Sequence, residues 1–215
     1  MTAEVLEEKK SIDALIRRGL GESALGWVTD QAIEALTFYV AELERWNRKM
    51  NLTGKQTGAQ IVTDLLYDTF YVYSHIRGAR SLLDMGSGAG VISIPLVILD
   101  RLLRVISVDA STKKIQFQRH VRRTLRLDNL TLFPIRIEHL ESQGVEIVVA
   151  KAFGPTHVVL DKAAKHLRDN GKILLMKGRL EPVTPFPGFQ IEGAVHYHLP
   201  GSTKEFKLIT YKKVF

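Results

Sequence analysis

The stretch Leu82-Leu83-Asp84-Met85-Gly86-Ser87-Gly88-Ala89-Gly90 constrains this chain more than any other. Leu82 and Leu83 predict a short buried strand over 81–84. Gly86, Gly88 and Gly90 predict a bend whose backbone approaches a ligand with no Cβ in the way. The following Val91-Ile92-Ser93-Ile94-Pro95 predicts a helix whose first N–H groups point back at the bend. Strand, glycine bend and helix together form the nucleotide-binding corner of a doubly wound α/β sheet. The spacing is G-x-G-x-G: Val91 stands where a dinucleotide fingerprint would carry its third glycine. No Gly-Lys-Ser/Thr follows, which excludes a P-loop.

Asp109 closes the next apolar run, Arg104-Val105-Ile106-Ser107-Val108. A carboxylate at the end of the second strand suits a ribose diol, and Asp84, two residues before the first glycine, suits an ammonium group. An adenosine end and a cationic amino-acid end together describe S-adenosylmethionine. Another nucleotide, or a packing turn without a ligand, are the competing readings.

The rest of the chain supplies the matching rhythm. Helix 91–101, strand 104–109, helix 112–126, strands 130–135 and 145–150, helix 156–168 and strand 172–177 predict a mainly parallel α/β sheet. Phe186–Tyr197 and Phe206–Val214, joined by the turn Leu199-Pro200-Gly201-Ser202-Thr203, predict an antiparallel closing pair, giving seven strands in all. Before the sheet, Val5, Leu6, Ile12, Leu15 and Ile16 predict a helix over 4–20. Thr29 or Asp30 caps a second helix carrying Leu36, Leu43 and Trp46, and Ile61–Tyr73 predicts a third. Trp46 reads as a core or domain-contact residue. The 215 residues therefore divide into a helical extension, 1–78, and a methyltransferase-type domain, 79–215.

Composition narrows the function class. The formal charge is +7, which favours polyanionic partners. Helix 112–126 carries Lys113, Lys114, Arg119, Arg122, Arg123 and Arg126 with no acid; this is either an RNA-backbone contact or a solvated face. The strand ends add Lys151 and Lys177. There is no cysteine, so no disulfide framework. No apolar run approaches a membrane span, and Met1–Lys10 resembles neither a signal nor a transit peptide; the expectation is a cytoplasmic monomer. His196 and His198 lack a third ligand, so no metal is expected. Lys151-Ala152-Phe153-Gly154-Pro155 stands after the fourth strand where an exocyclic-amine methyltransferase would carry an Asp-Pro-Pro-Tyr-like clamp.

At this point the chain resembles the bacterial RsmG (GidB) family of ribosomal RNA methyltransferases. The shared stretches are Asn51-Leu52-Thr53, Leu65-Leu66-Tyr67-Asp68-Thr69, Leu83–Gly90, Val108-Asp109-Ala110-Ser111, Arg136-Ile137-Glu138, Ala150-Lys151-Ala152-Phe153 and Met176-Lys177-Gly178. The chain departs from the family at Ile92-Ser93 (usually Pro-Gly), Lys151 (usually Arg) and Phe206 (usually Arg). The resemblance implies a Rossmann-like class I fold. It implies S-adenosylmethionine as methyl donor, touched by Gly86, Val91, Ile137, Glu138 and Lys151 beside Asp84, Gly88, Gly90 and Asp109. It also implies methylation of a guanine N7 in the decoding-region loop of 16S ribosomal RNA. The residues expected toward that RNA are Asn51, Lys113, Lys114, Arg119, Arg122, Arg123 and Lys177. The open alternatives are a class I methyltransferase acting on another RNA, a protein or a small molecule, and a non-catalytic RNA-binding relative.

Overall fold

A computed structural model describes residues 3–214, with side chains from Leu6 onward. The side chain of Val5, counted in the first apolar stripe, lies outside the described residues. Helix α1 (Ala3–Glu22) packs against α2 (Asp30–Met50). Thr29 caps α2, its side-chain oxygen accepting from the Ala32 N–H at 3.3 Å. The helix ends at Asn51, in the left-handed region at φ 47°. Asn47 Oδ1 then accepts from the N–H groups of Leu52 and Thr53 at 2.7 and 2.8 Å, and its Nδ2 donates to the Lys55 carbonyl. One side chain thus shapes the whole turn after the helix.

The third predicted helix is longer than 61–73 and is not uniform. It comprises α3 (Gly58–Ile61), a π-helical turn (Val62–Leu66) and α4 (Tyr67–Ile76). It starts early because Thr57 caps it and because Glu44 Oε2 accepts from the Gly58 N–H at 2.7 Å.

Seven strands follow: β1 (Ser81–Met85), β2 (Arg104–Val108), β3 (Leu130–Phe133), β4 (Val145–Lys151), β5 (Leu167–Gly178), β6 (Phe189–His198) and β7 (Glu205–Lys213). Their order in the sheet is β3-β2-β1-β4-β5-β7-β6. Strands β1 to β5 run parallel to one another, and β7 is antiparallel to both β5 and β6. The helices between them are α5 (Ser93–Leu99), α6 (Thr112–Leu125) and α7 (Thr156–Ala164). The order reverses between β1 and β4, so a crevice opens beyond their carboxyl ends.

Several further boundaries differ from the sequence reading, among them the start of β5, at Leu167 rather than 172. Helix α5 spans 93–99 rather than 91–101, because Thr69 Oγ1 takes the Val91 carbonyl at 2.6 Å and Asp84 takes the Ser93 amide. Helix α7 stops at Ala164 rather than 168, because the Val145 N–H binds the His166 carbonyl and Leu167 pairs with Val145 in the sheet. The last two strands begin at Phe189 and Glu205; Phe186 forms only a bridge to Phe189 around Gly188, at φ 78°.

Both faces of the sheet are covered. One apolar cluster joins Leu36, Tyr39, Val40 and Leu43 of α2 and Phe70 of α4 to Ile94 of α5 and Phe117 and Val121 of α6. Trp46 packs edge-on against Phe117 at 5.6 Å between ring centroids, joining α2 to α6. The other cluster sets Leu83, Val148 and Ile173 against Val159 and Leu160 of α7. Truncating a fully buried ring such as Phe117 would cost about 3–5 kcal/mol. The helical extension is thereby fixed over α5 and α6, next to the glycine bend. Among the described residues no helix is long and apolar enough to cross a membrane.

Candidate functional site

The glycine bend sits where β1 ends. The N–H groups of Gly86 and Ser87 both donate to the Val108 carbonyl, at 2.9 and 3.0 Å, which folds the bend across the tip of β2. Gly86, Gly88 and Gly90 have φ of 76°, 58° and 76°, a region closed to most L-residues. A Cβ on Gly86 would stand 2.4 Å from the Phe153 ring, whereas one on Gly88 would meet nothing nearer than Lys114 Nζ at 4.0 Å. Gly90 serves packing: a Cβ there would strike Ile94 at 2.8 Å and Gln118 at 3.1 Å.

Asp109 and the bend are one unit. Asp109 Oδ2 accepts from the Gly88 N–H at 2.8 Å, and Oδ1 accepts from the Ser111 N–H at 2.8 Å. Each carboxylate oxygen keeps a lone pair for a ligand. Asp84 lies at the same end of the sheet, 2% exposed, its Oδ2 accepting from the Ser93 N–H at 3.1 Å. Burial pushes its carboxyl up to about 7, with the Asp109 charge adding to the effect.

Two cavities meet at this bend. One, of about 300 Å³, is lined by Gly86, Asp109, Ile137, Glu138, Phe153 and Lys162, among others. The second, of about 290 Å³, is lined by Leu52, Thr53, Leu65, Asp84, Gly88, Val91 and Lys151, among others. Gly86, Lys114 and Ala152 border both. The result is a trough with Asp109, Glu138 and Lys162 in one half, Asp84 and Lys151 in the other, and Lys114 bordering both. That donor set fits a nucleoside joined to a zwitterionic amino acid: hydroxyls for Asp109, an ammonium for Asp84 and a carboxylate for Lys151.

The match to a family decides between the open readings. Residues 32–184, from α2 through β5, match the family model described as rRNA small subunit methyltransferase G. The chain belongs to that family. A family member from Syntrophotalea carbinolica, named ribosomal RNA small subunit methyltransferase G, is 36% identical over 193 residues, covering 84% of this chain and 88% of its own. One from Chromohalobacter salexigens is 37% identical over 167 residues, covering 78% and 79%. Among solved structures, magnesium protoporphyrin IX methyltransferase from Synechocystis PCC 6803, with bound SAM, superposes with a TM-score of 0.58 at 17% identity, covering 86% of this chain and 97% of that one. The tRNA (m1A58) methyltransferase TrmI from Aquifex aeolicus gives 0.52 at 13%, covering 69% and 68%. These likenesses establish the Rossmann-like class I methyltransferase fold.

Within that family fold, the cationic residues singled out in the sequence disperse. Lys114 borders the trough. Lys113 Nζ donates to the carbonyls of Met50 and Asn51 at 2.8 and 3.3 Å, closing the end of α2. Asn51 is exposed on that turn. Arg119, Arg122 and Arg123 are exposed farther along α6, Arg122 and Arg123 about 12 Å or more from Lys114 at the usual helical rise. Lys177 Nζ donates to the Gly154 carbonyl at 2.7 Å and pairs with Glu181 at 3.1 Å. His196 stands 3.3 Å from Glu205, and among the described residues no three acids or histidines converge as a metal site would need.

Four contributors were not evident in the sequence. Gln118, fully buried, accepts from Ser107 Oγ at 2.7 Å and donates to Ser87 Oγ and the Gly88 carbonyl at 2.9 and 2.8 Å, pinning the bend from below. Lys162 pairs with Glu138, holding that carboxyl below the usual range, and stands 5.7 Å over the Phe153 ring. Asp68 and Tyr197 reach the site through Lys151. Asp68 alone had a signal: it lies in Leu65-Leu66-Tyr67-Asp68-Thr69, one of the stretches shared with the family.

Proposed function

We propose that the protein transfers the methyl group of S-adenosylmethionine to N7 of a guanine in the decoding-region loop of 16S ribosomal RNA. Family membership supports a methyltransferase of small-subunit ribosomal RNA. The single structural observation that carries the donor reading is the two-halved trough, with Asp109 and Asp84 at one end of adjacent parallel strands. The N7 target follows from the family resemblance. A ribosomal substrate implies a cytoplasmic site of action.

When bound, the donor supplies an electrophilic methyl on a sulfonium. Everything else falls to the chain. Asp109 offers its remaining lone pairs to the ribose hydroxyls, and Ile137, Glu138 and Phe153 wall the base. Asp84 neutralises the amino group and Lys151 the carboxylate. Guanine N7 carries an in-plane lone pair and no proton, so the residues need only hold the acceptor in line and exclude water. Lys151, its ammonium already on Asp68, is a binding group rather than a base. Leu52, Thr53 and Leu65 line the Asp84 half of the trough and would flank the acceptor base. Lys114 at the rim and the arginines of α6 would hold the RNA backbone. Residues 1–78 would act as the extension that completes that half of the trough, and 79–215 as the catalytic unit.

The test is mass mapping of 16S ribosomal RNA nucleosides after incubation with the protein and donor. One additional 7-methylguanosine in the decoding-region loop is the expected result. Methylation at another ring position or in another loop would overturn the N7 assignment, and no modification of RNA at all would overturn the substrate.

A further inference from the structure

We infer that Asp68 and Tyr197 are positioning residues for Lys151, and that the C-terminal hairpin is thereby part of the donor site. The inference rests on the methyl-donor reading above and deepens it.

Lys151 is the last residue of β4, and its side chain borders the half of the trough that holds Asp84. A lysine has four rotatable side-chain bonds and an ammonium with no planar geometry to orient it. Here that freedom is removed. Lys151 Nζ stands 2.5 Å from Asp68 Oδ2 and 3.5 Å from the Asp64 carbonyl. Asp68 Oδ1 in turn accepts from the Tyr197 hydroxyl at 2.8 Å. Asp68 is 1% and Tyr197 6% exposed. With two of its three donors engaged, the ammonium keeps one N–H for the cavity it borders.

The anchor is itself held. The Tyr197 ring stacks on Tyr71 at 3.9 Å and 11°, and lies 5.7 Å from Phe206. Burial and the Asp68 charge keep the Tyr197 hydroxyl protonated, hence a donor. Tyr71 and Asp68 both lie on α4, which follows directly on the π-helical turn Val62–Leu66. Leu65 of that turn borders the trough, and Asp64 presents its carbonyl to Lys151. A widened turn of this kind re-aims the residues around it. Tyr197 is in β6, outside residues 32–184, so the hairpin contributes a contact that the family match does not cover.

A plain structural staple between α4, β4 and β6 would have the same geometry. The two roles differ in which ligand they affect. S-adenosylhomocysteine carries the amino-acid carboxylate; 5′-methylthioadenosine lacks the whole amino-acid arm. Calorimetric titration of the full chain with both ligands is therefore the test, using Tyr197→Phe, which removes one hydroxyl and keeps the ring and its stack. The expected result is a roughly five- to tenfold weaker S-adenosylhomocysteine, with unchanged 5′-methylthioadenosine, and no further loss when Tyr197→Phe is placed on Lys151→Met. Equal weakening of both ligands, no weakening of either, or an additive loss on Lys151→Met would overturn the inference. Should Tyr197→Phe not fold, Asp68→Asn is read against the same two ligands with the same outcomes. Failure of the unaltered protein to bind S-adenosylhomocysteine would instead refute the donor reading itself.

Discussion

Asp109 Oδ2 holds the Gly88 amide, 21 residues earlier in the chain, at 2.8 Å. The carboxylate that closes the second strand is therefore a structural part of the bend that closes the first. Asp109→Ala should remove both that bond and a ligand contact. A hydrogen bond to a charged group contributes about 1.5–3 kcal/mol, so donor affinity should fall at least tenfold in calorimetry, and Asp109→Asn should fall less because its carbonyl still accepts. Unchanged affinity in Asp109→Ala would remove this residue from the site.

Asp84 should make donor binding pH-dependent with a definite sign. Its carboxyl, pushed up to about 7 by burial, is largely neutral at pH 6 and ionised at pH 8. An ammonium favours the ionised form, so affinity should rise as pH rises through 7 and then level off. Binding at pH 7 should release a proton, read as a dependence of calorimetric enthalpy on the buffer's own ionisation heat. Enthalpies independent of buffer would contradict this.

The same burial has a cost to stability. Because the folded carboxyl titrates above its usual value, ionisation opposes folding, and this group's contribution worsens from about pH 4 to pH 7 before levelling. Three pH units correspond to about 4 kcal/mol as an upper bound. Asp84→Asn, whose carbonyl can still accept from Ser93, should raise the melting temperature at pH 8 but change little at pH 4, while abolishing donor binding. A lower melting temperature at pH 8 would contradict the desolvation argument.

Gly86 and Gly88 share positive φ but differ in surroundings. Gly88→Ala should cost about 1–2 kcal/mol of stability from backbone strain alone. Gly86→Ala adds a 2.4 Å approach to Phe153 and should cost clearly more. Denaturant unfolding of the two variants orders them, and equal losses would show that Phe153 yields freely.

Arg119, Arg122 and Arg123 are exposed, and no ion pair is seen for them among the described residues. Replacing all three by Ala should weaken binding of a 16S ribosomal RNA fragment and flatten its salt dependence, by up to about 0.7–0.9 in log–log slope per lost phosphate contact. Donor affinity should not move. An unchanged salt slope would mark α6 as a solvated face.

The strand–bend–helix corner, the alternation of strands and helices, the antiparallel closing pair and the pair Asp84 and Asp109 were all legible in residue order. These are local facts: apolar period, glycine spacing, and an acid at a strand's end. They persist because neighbouring parallel strands in such a sheet present their carboxyl ends to one crevice. Element ends were less legible, since Thr69 and Asp84 trimmed the start of α5 and pairing with Val145 drew Leu167 out of α7. Which side chains serve the site from a distance was set by packing between elements. Gln118 reaches the bend only because α6 lies beneath it, and Lys113 is directed to the end of α2 by the way the extension packs. The network of Lys151, Asp68 and Tyr197 joins residues 83 and 129 positions apart. No periodicity encodes such a meeting; it follows from packing that brings side chains of α4 against the end of β4 and against β6.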